Sequence, residues 1–446
     1  MCLSLIQNNV RKILTALVLL CSFSAHAQLV FTVNSNADEV DSNINDGICQ
    51  TAASTCTLRA AVMQANPALG LGVTIVLPAG SFVLSRDTGF GNEDSFGDLD
   101  LNTPIAGSPT ITIRGAGASL TTIDANRIDR VLEVKVSRTA TISDVTIRGG
   151  FKEGIGGGIL NQGALTLRRV QITNNEAGSN ESGGGVFNSQ TLTLLDSTVS
   201  VNRAGSGAGI FNGQDLTIDR STVTGNIAVL GGGIYSLHAS TIRNSLITGN
   251  FARDGGGIAY EIWNLQYLIN TTISGNVADI DGGGIIIASS AVNVYNTSVI
   301  GNSAGGSGGG IAVRSGATFG VRNSLIAGNT GGAAASPNDC AGVVSGYGTN
   351  MLGVTIGCSS NLGALSLVTR STIGPLQNNG GPTLTHALLA GSQAINGAVS
   401  SACVDQNAQV LPTDQRGAPR LFGVRCDVGA FEFGSVVDLL FSNGFQ

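Results

Sequence analysis

Between residues 150 and 330, apolar positions recur in three interleaved series. A glycine-rich motif ends in Ile159, Val186, Ile210, Ile234, Ile258, Ile285 and Ile311, with steps of 27, 24, 24, 24, 27 and 26 residues. A second series runs Leu167, Leu194, Ile218, Ile242, Leu268, Val294 and Val321, and a third, five residues later, runs Ile172, Val199, Val223, Ile247, Ile273, Val299 and Ile326. Three residues after each member of the third series stands an asparagine: Asn175, Asn202, Asn226, Asn250, Asn276, Asn302 and Asn329. Each unit therefore holds three apolar segments separated by Gly, Asn and Ser turns, too short and too β-branched for helices, which predicts strands.

One strand triplet cannot bury its own apolar face, so like must stack on like along an axis. The expected fold is all-β, a right-handed parallel β-helix: a solenoid of about 24 to 27 residues per coil with N- and C-terminal caps. The hand follows from the general chirality of parallel crossovers. The asparagines fit a structural ladder, since Asn tolerates left-handed turns and stacked amides can bond along the axis.

The ends differ from the middle. Leu58 to Asn66 is the best helix candidate, with Leu58, Ala61, Val62 and Ala65 on one face and Thr57 as N-cap, and would plug the first coil. After Asn329 the repeat fades into an irregular segment read as the other closure. Arg11 and Lys12, the apolar run Ile13 to Phe23 and Ala25-His26-Ala27 read as an export signal. The expected division is 1–27 signal peptide, 28–70 N-terminal cap, 71–335 β-helix, 336–433 C-terminal closing region and 434–446 tail.

Export implies oxidised cysteines, and the six that follow the leader fall in three local pairs: Cys49 with Cys56, Cys340 with Cys358, Cys403 with Cys426. No CxxC occurs, which argues against zinc. A net charge of −6 with no Lys/Arg run makes nucleic acid an unexpected partner. No second apolar stretch approaches the ~20 residues of a membrane span.

Asp46-Gly47-Ile48-Cys49 followed by Thr55-Cys56-Thr57-Leu58-Arg59-Ala60-Ala61-Val62 resembles the CSLREAI domain of exported bacterial β-helix proteins, with Ala60 where an acidic residue is usual. The likeness continues through Gly97-Asp98-Leu99-Asp100, Ile113 to Gly117 and Asp129-Arg130-Val131. Gly374-Pro375-Leu376, Asn379 to Thr383, Thr385-His386, Gly391-Ser392, Asp414 to Gly417, Arg420 and Cys426 to Glu432 resemble the choice-of-anchor Q domain. The repeats between are similar to those of polymorphic outer-membrane proteins. This resemblance implies a secreted or cell-surface β-helix and supplies no catalytic residue.

The candidate chemistry is sparse. Asp254 and Asp281 occupy equivalent places four residues before successive motif isoleucines, with Asp279 close by and Arg253 to neutralise them. Stacking would bring their carboxylates near enough for glycoside hydrolysis or shared Ca²⁺; the plain alternative is solvated turn carboxylates. Asp41, Asn43, Asn45 and Asp46 approach a Ca²⁺ loop but miss its register, and Glu93, Asp94, Asp98 and Asp100 are similarly ambiguous. No cofactor is otherwise required.

Aromatic residues are only 5% of the chain. Leu160, Phe187, Phe211 and Tyr235, each following a motif Ile or Val, should point outward as a stripe. The gap between the first two series widens at Ile258 to Leu268, which predicts an excursion carrying Tyr260, Glu261, Trp263 and Tyr267. With Tyr235 these are the glycan-binding candidates; the alternative is that the loop buries its own rings. The expected function is that of a non-catalytic secreted or cell-surface protein for adhesion or glycan binding, with extracellular polysaccharide or surface glycan as partner. A polysaccharide lyase or hydrolase using Asp254 and Asp281 is the runner-up, and a structural spacer the third.

Overall fold

The computed structural model describes residues 28–437, apart from 45, 69–71, 88–93, 103–109, 262–263, 333, 355–356, 363–364, 368–371 and 400–402. The expected leader therefore lies outside the described residues.

The chain winds into a right-handed parallel β-helix with three main strand ladders. The first begins at Leu99–Leu101 and climbs through Leu132–Val134, Ile159–Asn161 and Val186–Asn188 to Ile311–Val313. The second begins at Leu29–Thr32 and includes Thr139–Ser143, Leu265–Ile269, Ala291–Tyr295 and Thr318–Arg322. The third is a 12-stranded sheet from Gly80–Val83 to Leu365–Leu367. The first two merge where Cys340–Tyr347 runs through both, Cys340 opposite Ile311 and Gly346 opposite Val321.

The register is the one the periodicity predicts. Ile210, Ile234, Ile258 and Ile285 are successive Cα partners, as are Ile242, Leu268 and Val294, and Ile247, Ile273 and Val299. Each of these residues is at most 1% exposed, and the stacked columns form one core reaching from Phe31 to Leu352.

The asparagine series lines the turn after the third ladder. From Asn175 to Asn329 each Nδ2 donates to the next Oδ1 at 2.9–3.1 Å, and the chain of amides ends on Asp339. The left-handed conformation belongs to the preceding residue (Asn174, Val201, Gly225, Gly249), so Asn is selected here for its amide rather than for its backbone. The glycine triplets lie against these amides. A Cβ on Gly257 would stand 2.5 Å from the carbonyl of Gly284 on the next coil and 3.1 Å from Asn276, so coils can approach only without one.

Helix α1 (Leu58–Ala65) starts at Thr57, whose hydroxyl accepts from the Ala60 N–H, and buries Leu58, Ala61, Val62 and Ala65 in the main core against Val73–Val76 and Leu99–Leu101. At the other end the expected closing region divides. Cys340–Tyr347, Asn350–Leu352, Cys358–Leu362 and Leu365–Leu367 add further strands, whereas the described residues of 372–437 lie along the flank of the shaft. Ile373, Leu388, Val428 and Phe431 pack on Ile300, Leu325 and Met351, and the Ala430 N–H donates to Ser298 Oγ. A second turn column, Asn244, Asn270, Asn296 and Asn323, helps hold this segment, because its amides bond along the column and also reach outward: Asn270 donates to Asn244 Oδ1 and to Thr413 O, and Asn323 to Asn296 Oδ1 and to Asp427 O. The disulfides join Cys49 to Cys56, Cys340 to Cys358 and Cys403 to Cys426. Among the described residues, no helix is long and apolar enough to cross a membrane.

Candidate functional site

The N-terminal acidic loop converges on a protein donor. Gln64 Nε2, projecting from α1, donates to Asp41 Oδ1 at 3.0 Å, Asn43 O at 2.6 Å and Asp46 Oδ1 at 3.1 Å. The remaining Asp41 oxygen accepts from the Gln50 N–H. An amide thus sits where these oxygens converge; Asn45 lies outside the described residues.

Asp254 and Asp281 do occupy adjacent coils, since the Gly255 N–H donates to Asp281 O. Their carboxylates have separate partners. Asp254 is buried and ion-pairs with Arg314 at 3.3 Å, two coils away, and Asp281 Oδ1 accepts from the Ser307 N–H at 2.8 Å. The cation at Asp254 is Arg314, not the expected Arg253. Arg314 follows its motif isoleucine at a spacing that stacks over Asp254 only once the coils are built, which a search among sequence neighbours misses. Asp279 stands beside the next turn, its N–H donating to Ala252 O.

The described members of the glycan-binding set, Tyr235, Tyr260, Glu261 and Tyr267, do not form one patch. Tyr235 continues the outward stripe: Phe187 stacks on Phe211 at 4.5 Å and Phe211 on Tyr235 at 5.5 Å. Tyr260 is a correction. It is fully buried in the core, opposite Ser236 and Ile287 on the first ladder, and burial pushes its phenol pKa up. The reason is strand alternation: Ile258 points in, Ala259 out and Tyr260 in. Tyr260 replaces the interior polar column Asn161, Asn188, Asn212 and Ser236, whose side chains bond in series at 2.7–3.0 Å. Glu261 is exposed at the end of that strand, and Trp263 lies outside the described residues.

Tyr267 finds its aromatic company on a different face, the second ladder. It projects from the second ladder between buried Gln266 and Leu268, and its ring lies 6.4 Å from that of Tyr295 on the next coil. The second ladder continues Tyr267 into Asn293 and Gly320, and Tyr295 into Arg322 and Tyr347. Asn293, Tyr295, Gly320, Arg322 and Tyr347 line a shallow cleft of about 70 Å³. Gly320 keeps it open, because a Cβ there would stand 2.5 Å from Asn293 Oδ1. Tyr347 is 68% exposed at one rim, and burial raises the Tyr295 phenol pKa. The result is a groove with aromatic faces, an amide and a guanidinium, suited to a ligand that combines apolar faces with hydroxyls. Tyr295, Arg322 and Tyr347 escape a search for aromatic clusters in sequence because they are 25 to 27 residues apart; reading every outward position at the coil period would have aligned them. A larger cleft of about 250 Å³ beside Thr139, Gln162, Gln190 and Thr191 has no aromatic lining.

One family model agrees with this architecture. Residues 110–276 match the family described as right handed beta helix region, a span between the two terminal segments. Among solved structures, the crystal structure of pectate lyase Pel9A superimposes with a TM-score of 0.49 at 15% identity, covering 90% of this chain and 96% of that one. No curated protein matches.

Proposed function

We propose that this chain is an exported, non-catalytic β-helix that binds extracellular polysaccharide or surface glycan through the Tyr267, Tyr295 and Tyr347 groove. The observation that carries the reading is the Tyr267–Tyr295 pair continued by Arg322 and Tyr347 along one open ladder. Sugar rings present C–H faces to aromatics and hydroxyls to amides and guanidinium groups, and both kinds of partner occur here within neighbouring coils. Three disulfides and the leader-like N-terminus support an oxidising compartment. Binding is favoured over cleavage because Asp254 and Asp281, engaged by Arg314 and Ser307, precede the first ladder and are not on the ladder that carries the groove. No cofactor is part of the reading.

Screening the purified protein on a glycan array and assaying the hits for bond cleavage tests both halves. Tyr295→Ala and Tyr347→Ala should each weaken binding by about 1 to 3 kcal/mol, the range for a central interface aromatic, with the melting temperature nearly unchanged. Retained affinity in both variants overturns the groove, and shortened oligosaccharides overturn the non-catalytic reading.

A further inference from the structure

Leu99–Leu101 and Leu132–Val134 are neighbours at the start of the first ladder, with Asp100 directly opposite Glu133. Leu99, Leu101, Leu132 and Val134 belong to the core; alternation sends Asp100 and Glu133 to the other face. There they are nonetheless buried, with side chains 2% and 7% exposed. Lys135 reaches back from just beyond the second strand. Its Nζ lies 2.8 Å from Glu133 Oε2 and 3.0 Å from Asp100 Oδ1, and its N–H donates to Leu101 O, which fixes the stem. Arg130 binds Glu133 at 3.0 Å and Asp98 at 3.3 Å from the other side. Oxygens of Asp98, Asp100 and Glu133 all fall within 4.8 Å of one another, so three carboxylates share two cations.

We propose that Lys135 and Asp100 condense to an intramolecular isopeptide bond, with Glu133 relaying the proton. Three features carry the proposal. An amine nucleophile, a carboxyl carbon and a second carboxylate are held within bonding reach by paired strands, which gives the reaction a high effective concentration. Asp100 has acid character: burial, and then the neighbouring Asp98, push its pKa up to about 7, which makes its hydroxyl a competent leaving group. Burial opposes the Lys135 charge, but its bonds to Glu133 and Asp100 outweigh burial and keep it an ammonium, so attack requires that a proton first pass from Nζ to one of these carboxylates. The ion pair is also costly to keep out of water, and a neutral amide removes one carboxylate and one ammonium from the crowded set.

The step balances without any co-reactant. Nζ attacks Asp100 Cγ and the C–N bond forms. One Asp100 oxygen departs with two protons that began on the ammonium, one of them relayed by Glu133, so the products are an amide and one water. Asp98 and Glu133 remain paired with Arg130. The bond would tie the first two members of the ladder beside α1.

Intact-mass measurement of the full disulfide-bonded protein, followed by peptide mapping, decides the matter. The expected wild-type mass is one water below that of the oxidised chain, with a branched peptide joining Asp100 to Lys135. Lys135→Arg should restore the full sequence mass. Glu133→Gln should do the same while circular dichroism shows the β-helix retained. A wild-type protein at full mass, with Lys135 open to amine-directed labelling after denaturation, overturns the proposal. A branched peptide persisting in Glu133→Gln overturns the relay role of Glu133.

Discussion

Asn276 Nδ2 donates to Asn302 Oδ1 at 2.9 Å, while the backbone N–H of Asn276 donates to that same oxygen at 3.0 Å. One carboxamide oxygen thus serves two donors of the coil before it, and the Asn276 oxygen does the same for Asn250. Removing one amide from this sequence of buried bonds strands donors on the preceding coil. Asn276→Ala should therefore cost about 2 to 5 kcal/mol in denaturant unfolding, the sum expected when more than one buried partner is left unpaired. Exposed Asn174, one residue before the ladder position of its own coil, is the control; Asn174→Gly should change stability little, since its backbone is left-handed.

Tyr260→Ala tests where the rare aromatics divide into packing and binding. Tyr260 fills the core between Ser236 and Ile287, so truncation should leave a cavity costing about 3 to 5 kcal/mol, as for other large buried aromatics. Glycan affinity measured well below the melting transition should stay at the wild-type value. Tyr295→Ala should show the opposite pattern, and equal stability losses in both would show Tyr295 to be a packing residue too.

The coil register was legible because Ile on Ile needs nothing more than a period, and columns such as Ile234, Ile258 and Ile285 follow from counting. The asparagine ladder was legible for the same reason. The interior column Asn161, Asn188 and Asn212 was available from alternation: the residue two beyond a motif Ile returns to the inside, and this also places Tyr260 in the core. Contacts between coils two apart, such as Arg314 with Asp254, depend on side-chain reach along the axis and carry no local signature. The lateral docking of 372–437 was not legible either. Its partners Asn270, Thr272 and Ser274 look like ordinary turn and strand residues until Thr413, Gln415 and His386 come to meet them.

Gln64 gives a sharp prediction about calcium. Its amide satisfies Asp41, Asn43 and Asp46 together, so adding Ca²⁺ or EDTA should leave the melting temperature of the wild type unchanged. Gln64→Glu replaces the donor with a third carboxylate beside Asp41 and Asp46. That variant should be destabilised in EDTA and recover with Ca²⁺, since carboxylates crowded without a counter-charge either repel or recruit a cation. A Ca²⁺-dependent transition in the wild type would show that the amide does not hold this loop by itself.

The flanking segment should loosen as pH rises. Glu432 is buried beside Asp427, accepting from the N–H groups of Phe422 and Asp427, with Asp414 and Arg420 nearby. Burial, and then the Asp427 charge, push its pKa from 4.5 up to about 7 against the opposing effect of these hydrogen bonds and of Arg420. Asp427 is raised by burial in the same direction. A folded-state pKa above the unfolded one means that the docked segment holds a proton which the undocked chain releases. The stabilisation is complete below about pH 4.5 and is lost progressively as pH climbs through about 7. Limited proteolysis between residues 372 and 437 should accordingly be faster at pH 8 than at pH 5, measured with the shaft as internal reference. Glu432→Gln keeps an oxygen acceptor and removes the charge, so its cleavage rate should vary less with pH and resemble the wild-type rate at pH 5. A wild-type segment equally resistant at both values would mean that Arg420 neutralises Glu432 in place.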